Sequence, residues 1–105
     1  MGMNDELIIV LVTCPPAEAE NLAGELVREK LAACVNILPA KSVYYWQDKL
    51  CRDDEAVLII KSRQPLCDQL ETRIKQLHSY ELPEIVAIKA DMVEQRYWNW
   101  VQART

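Results

Sequence analysis

Residues 33–62 read ACVNILPAKSVYYWQDKLCRDDEAVLIIKS, and this stretch decides the fold. Two β-rich segments, from about Ala33 to Trp46 and from about Leu50 to Ser62, flank Gln47-Asp48-Lys49. β-Branched and aromatic residues on both sides of a short polar break predict an antiparallel hairpin. Pro39-Ala40 is the place where the first strand could be interrupted, because proline gives no N–H to a ladder.

Upstream, Leu7 to Val12 (LIIVLV) is an unbroken apolar run of strand length, as expected of a strand covered on both faces. TCPPAEAE then predicts a helix start, with Thr13 or Cys14 at the cap, prolines in the first turn, and Glu18 and Glu20 near the positive end of the dipole. Ala19, Leu22, Ala23, Leu26 and Val27 form an apolar stripe at helical spacing. Downstream of the hairpin a second helix is predicted from Pro65, with Leu66, Leu70, Ile74 and Leu77 along one face. Pro83 precedes a strand from Glu84 to Ala90, and a last helix covers roughly Val93 to Ala103. Val93, Tyr97, Trp100 and Val101 fall on one side of it. Trp98 and Trp100 flank Asn99 and are expected to face opposite ways.

The predicted order is β-α-β-β-α-β with an additional C-terminal helix. This is the α+β, ferredoxin-like pattern: one four-stranded antiparallel sheet with two helices on one face. The 105 residues are read as a single domain, 1–105, with 1–6 a flexible N-terminus. A chain of this length buries roughly two-thirds of its unfolded surface.

Composition narrows the function. With 50% hydrophobic and 27% charged residues the chain has an ordinary globular make-up. A net charge of −4 disfavours nucleic acid, whose phosphates reward a basic surface. Only two glycines are present, and no GxGxxG or GxxxxGK[ST] loop occurs. No apolar run approaches the ~20 residues of a membrane span, and MGMNDE carries no signal-peptide pattern. No CxxC occurs among Cys14, Cys34, Cys51 and Cys67, which are read as free thiols in a reducing compartment. The expected location is cytoplasmic, with no membrane partner.

The runs LIIVLV, AVLII and IVAI are apolar on both faces. A sheet with helices on one face should instead alternate apolar and polar residues. The second face needs a cover, and further copies of the chain are the simplest one. Val43, Tyr44, Tyr45 and Trp46 place bulky side chains on both faces near the hairpin tip and are the candidate interface residues. Base stacking by these aromatics is a weaker reading, because their context is acidic and they lie toward a strand end.

The densest chemistry lies in HSYELPEI, from His78 to Ile85, which holds the only histidine. His78 with Glu81 and Glu84 could hold a divalent cation or form an acid/base pair. Cys14, if at a helix N-terminus, would gain thiolate character and could join them. The competing structural readings are a histidine tied at a helix C-terminus and a buried cysteine, and such residues are more often of that kind. Asp53-Asp54-Glu55 reads as a solvated strand start, without EF-hand spacing. No GxSxG or other nucleophile motif occurs, so no catalytic residue is assigned.

LVTCP, LVREKLAACVNILP, SVYYWQDKL, EAVLIIKS and HSYELPEI, followed by YWNWV, together resemble the CutA divalent-cation tolerance family from about Ile8 to Val101. The resemblance implies a ferredoxin-like subunit similar to the PII proteins, assembled as a homotrimer, without enzymatic activity. It also implies a part in tolerance of, or response to, copper and other divalent metals, with no obligatory cofactor but copper or another divalent cation as ligand. Family members usually carry proline where this chain has Ser79. Some bacterial members take copper ligands from a first-strand cysteine and two adjacent histidines. Here those positions are Val12 and Leu77, and only His78 matches. The alternative the resemblance leaves open is a PII-like signalling or scaffold protein that binds a small ligand or partner protein in clefts between subunits. The turn at Gln47-Asp48-Lys49 is short for a PII-type loop.

Overall fold

The computed structural model describes residues 5–105. Its elements follow the predicted order: β1 (Leu7–Cys14), α1 (Ala19–Arg28), β2 (Cys34–Trp46), β3 (Lys49–Arg63), α2 (Cys67–Leu77), β4 (Ile85–Lys89) and α3 (Gln95–Arg104). The four strands form one antiparallel sheet in the order β2-β3-β1-β4. This is the split βαβ arrangement, an α+β ferredoxin-like fold.

Residues of period two divide the sheet into faces. Ile8, Val10 and Val12 of β1 and Leu58 and Ile60 of β3 lie on one face, fully buried against Leu22 and Leu26 of α1 and Leu70 and Ile74 of α2. Each such side chain contributes about 1.5–3 kcal/mol on leaving water, so this layer drives folding. α3 covers only one end of the opposite face, where Val101 and Trp98 meet Leu7 and Ile9. Trp98 therefore turns inward while Trp100, on the other side, stays partly exposed, as the spacing around Asn99 predicts. Farther along that face, Leu11 pairs with Ile59 and Val86, and Ile9 with Ile88. Val86 and Ile88 remain about half exposed, at 47% and 48%. The apolar second face is thus real and largely uncovered within one chain.

The hairpin outgrows the rest of the sheet. β1 ends at the Cys14–Ala56 pair, whereas β2 and β3 pair on from Ala40–Glu55 to Trp46–Lys49. The molecule is accordingly elongated, 44 × 25 × 24 Å. β2 runs through Pro39 without interruption. It is an edge strand, where a missing N–H costs no ladder bond if it faces outward. The connection is a two-residue turn, with Gln47 and Asp48 at φ 51° and 62°, and Lys49 already belongs to β3.

Two junctions fix the layers. α1 closes with Lys30 in the left-handed region (φ 62°). Leu31 N–H donates to Leu26 O at 3.0 Å and Lys30 N–H to Val27 O at 3.1 Å, a Schellman closure without glycine. The buried Ser62 hydroxyl then donates to Leu31 O at 2.6 Å, binding this closure to β3. At the chain ends, Arg63 donates from Nε to Thr105 Oγ1 at 2.8 Å and from Nη1 to Asp5 Oδ2 at 3.0 Å. Of the stretch 1–6 expected to be flexible, residues 1–4 lie outside the described residues, while Glu6 O accepts from Gln64 N–H at 2.8 Å. Among the described residues no helix is long and apolar enough to cross a membrane.

Candidate functional site

The loop from His78 to Glu84 leaves α2 and crosses the end of β1 before entering β4. Its first residue is a tie. His78 is 8% exposed. Its Nδ1 accepts the backbone N–H of Tyr80 at 3.1 Å, and its Nε2 meets the Thr13 carbonyl at 2.7 Å. With Nδ1 accepting, the proton shared with Thr13 is the one on Nε2. The Tyr80 ring stacks at a tilt over the imidazole, with centroids 4.8 Å apart.

Tyr80 then reaches the hairpin. Its hydroxyl donates to Glu55 Oε2 at 2.8 Å. Glu55 is only 5% exposed. The expectation of a solvated acidic run after the turn is thus corrected at Glu55, while Asp53 and Asp54 stay exposed. The physical reason is position: Glu55 stands where β3 emerges beyond β1, directly beneath the crossing loop. Ser79 donates to Glu18 Oε2 at 2.7 Å, and Glu18 Oε1 is enclosed with no hydrogen-bond partner among the described residues. Nearer the tip, the Tyr44 hydroxyl donates to Asp53.

These contacts set the proton affinities. The Asp53 hydrogen bond, aided by burial and by nearby acidic groups, pushes Tyr44 up to about 12. Burial first, and then the bond to Glu55, pushes Tyr80 up as well. Cys14 is also pushed up, by burial first and then by Glu18 and Glu55. The expected activation of Cys14 at a helix N-terminus is corrected here. Cys14 is the last residue of β1, buried in the sheet, and a short 3-10 turn at Pro16–Glu18 separates it from α1.

Between the loop and the hairpin lies a cleft of ≈ 650 Å³. Tyr44, Tyr45, Trp46 and Tyr80 give it aromatic walls, and Glu55, Glu81 and Glu84 give it carboxylates. No lysine or arginine lines it among the described residues. Of the residues singled out in the sequence, Glu81, Glu84, Val43, Tyr44, Tyr45 and Trp46 are brought together here. His78 sits behind Tyr80 with both ring nitrogens engaged, and Cys14 lies in the core. Among the described residues no group of three or more His, Cys, Asp or Glu is gathered so that it could hold a metal. A centre built on His78, Glu81, Glu84 and Cys14 does not fit this geometry, since His78 would have to surrender a structural bond to ligate. Glu55 and Thr13 carried no usable sequence signal, because a long-range register brings them under the loop.

Comparison with known proteins is consistent across sequence and structure. Residues 8–104 match the family described as CutA1 divalent ion tolerance protein. A chloroplastic CutA protein of Oryza sativa is 44% identical over 100 residues, which are 93% of this chain and 56% of that protein. The chain therefore spans little more than half the length of that relative. The divalent-cation tolerance protein CutA of Thermus thermophilus is 40% identical over 99 residues, covering 92% of this chain and 96% of that protein. Among solved structures, a PII-like CutA protein from a Nostoc species, in apo form, superposes with a TM-score of 0.90 at 37% identity, covering 93% of this chain and 96% of that one.

Proposed function

This chain belongs to the CutA1 divalent ion tolerance family, and we propose from that premise that it acts as a cytoplasmic homotrimer in tolerance of copper and other divalent cations, without catalysing a reaction. The observation that carries the assembly is the unfinished second face. Leu11, Ile59, Val86 and Ile88 form a partly exposed apolar surface, and the hairpin beyond Ala40–Glu55 is an unsupported two-stranded ribbon with Val43 and Tyr45 60% and 75% exposed. A two-stranded ribbon is marginal alone in water, and a contiguous apolar face of this kind marks an interaction surface. Neighbouring copies cover both at once in a closed ring.

The second reading, a PII-like protein with a ligand in clefts at subunit borders, is favoured by one feature. The aromatic cleft lies beside the projecting hairpin, where a neighbouring copy would border it. Direct ligation of metal by His78 forms no part of either reading.

Light scattering tests the assembly, with an expected mass of three times the 12.1 kDa chain. A monomer would overturn it. Growth in copper tests the role. Cells deprived of the protein should become copper-sensitive and recover with the wild-type gene, and unaltered sensitivity would refute the tolerance reading.

A further inference from the structure

The cleft between the Ser79–Glu84 loop and the hairpin combines features that the assembly does not require. Glu55 is a carboxylate at 5% exposure on the cleft wall. It receives one phenol hydrogen bond, at Oε2 from Tyr80, and no ion pair with a lysine or arginine among the described residues. A buried carboxylate without a cationic partner is costly, and structures retain one where a partner arrives or a function needs it. Tyr44 is held protonated above all by its bond to Asp53, and Tyr80 by burial first and then by its bond to Glu55. The charged side chains on the cleft lining are all carboxylates. The lining also holds two exposed carboxylates, Glu81 and Glu84.

The walls decide which cation suits it. Tyr44, Tyr45, Trp46 and Tyr80 present aromatic surface, which attracts organic cations through the ring quadrupole. A hydrated divalent metal would gain little from such walls and needs converging oxygen ligands. Among the described residues no such set of ligands is gathered. An anion is repelled. An opening of ≈ 650 Å³ is of the size that holds small organic ligands.

We propose that this cleft is a binding site for a small organic ammonium ion, with Glu55 as the inner counter-charge, Tyr44, Trp46 and Tyr80 as the aromatic cage, and Glu81 and Glu84 guiding entry. The inference rests on the second reading, a cleft that stays open beside a neighbouring copy, and names the class of ligand it would take. A primary ammonium would donate to the carboxylates, whereas a quaternary one would rely on the rings alone.

Calorimetric titration of the protein with putrescine and with tetramethylammonium tests this, using magnesium at matched ionic strength as the competitor. Saturable uptake of one cation per chain, undisturbed by magnesium, is expected. Putrescine binding tighter than tetramethylammonium would identify primary amines as the ligand class, and the reverse order quaternary ones. Tyr44→Leu should weaken binding by about fivefold, the worth of one cation–π wall. Glu55→Gln should weaken it by about tenfold or more, as loss of a charged hydrogen-bond partner does. Should Glu55→Gln fail to fold, the exposed pair Glu81→Gln and Glu84→Gln decides, and an affinity unchanged by both would overturn the proposal. It is equally overturned by the absence of saturable binding, as when a neighbouring copy fills the cleft, or by displacement with magnesium. Light scattering on the same samples keeps the readings apart: a monomer that binds amines would sink the trimer and leave this site standing.

Discussion

His78 and Thr13 stand 65 positions apart in the chain, yet the imidazole Nε2 lies 2.7 Å from the Thr13 carbonyl. The contact locks the end of α2 onto the end of β1, and the ring's other nitrogen holds Tyr80 in place. Replacing His78 by Ala leaves that carbonyl and the Tyr80 N–H without partners in a mostly buried site. It should cost about 2 kcal/mol or more, read as a lower urea midpoint at fixed protein concentration. Copper affinity should stay the same in His78→Ala. An unchanged midpoint with lost copper binding would make the residue a ligand instead of a tie.

The next link is the Tyr80 hydroxyl on Glu55. Tyr80→Phe keeps the ring that stacks on His78 but removes the only hydrogen-bond donor recorded for that carboxylate among the described residues. The expected loss is about 1–3 kcal/mol, the cost of an unsatisfied buried acceptor. In the double variant with Glu55→Gln the two effects should be markedly sub-additive. Strict additivity would show that the bond contributes nothing to stability.

Much of this architecture was legible in the chain. The apolar runs LIIVLV and AVLII marked the two central strands, apolar on both faces though fully buried on one, and Leu70 and Ile74 marked the inner stripe of α2. The second, uncovered face could be inferred because its residues are apolar without a helix assigned to cover them. The site was only half legible. Glu81, Glu84 and the aromatics of the hairpin do meet at one cleft, but His78 and Cys14 do not face it as ligands. Local sequence shows which chemistry is near which in the chain, whereas the register of β1 on β3 decides that Glu55 lies under Tyr80. The end of β1 was also misplaced. The strand continues through Thr13 and Cys14 because both still pair with β3, which overrides the helix-start signal of the two prolines.

The hairpin turn was found without its usual residues. Gln47 and Asp48 both sit at positive φ, the requirement of a two-residue turn that suits asparagine and glycine. Asp48→Gly should relieve part of a strain of about 1–2 kcal/mol, less the added entropy of the unfolded chain. The net expectation is a rise in stability of up to ~1 kcal/mol. Chemical denaturation at constant protein concentration reads it, and a lower midpoint would mean that the aspartate side chain itself serves the turn.

Acid should weaken the cap of α3. Glu94 caps this helix by accepting the Tyr97 N–H at 2.8 Å, and that bond, with one from the Arg96 backbone, holds its carboxyl below the usual 4.5. A lowered folded pKa means that the ionised cap favours the folded state above the unfolded value. That contribution drains away as pH falls from about 4.5 through the lower folded value. Glu94→Gln should therefore be less stable than wild type near neutrality, and the two should converge in acid. Near-UV circular dichroism of Trp98 and Trp100 reports the helix directly. A gap between the two proteins that widened on acidification would contradict the cap.

Trp46 closes the hairpin, paired with Lys49 and still 39% exposed although it is the largest side chain there. Neither α1, α2 nor α3 supplies a partner at that end, since the ribbon runs on beyond β1 where the sheet has no third strand. If neighbouring copies cover the ribbon, truncating this residue removes a buried aromatic from each junction. Trp46→Ala should then weaken assembly by roughly 2 kcal/mol per site. Because folding and association are linked, the melting temperature of the variant should fall more steeply on dilution than that of the wild type. The cleft adds a second consequence. Trp46 also lines it, so the variant should lose affinity for an ammonium probe even at concentrations where it remains assembled. Sedimentation and titration on one sample separate the two roles. Unchanged sedimentation across the dilution series would make Trp46 a bystander in assembly, whatever it does for the ligand.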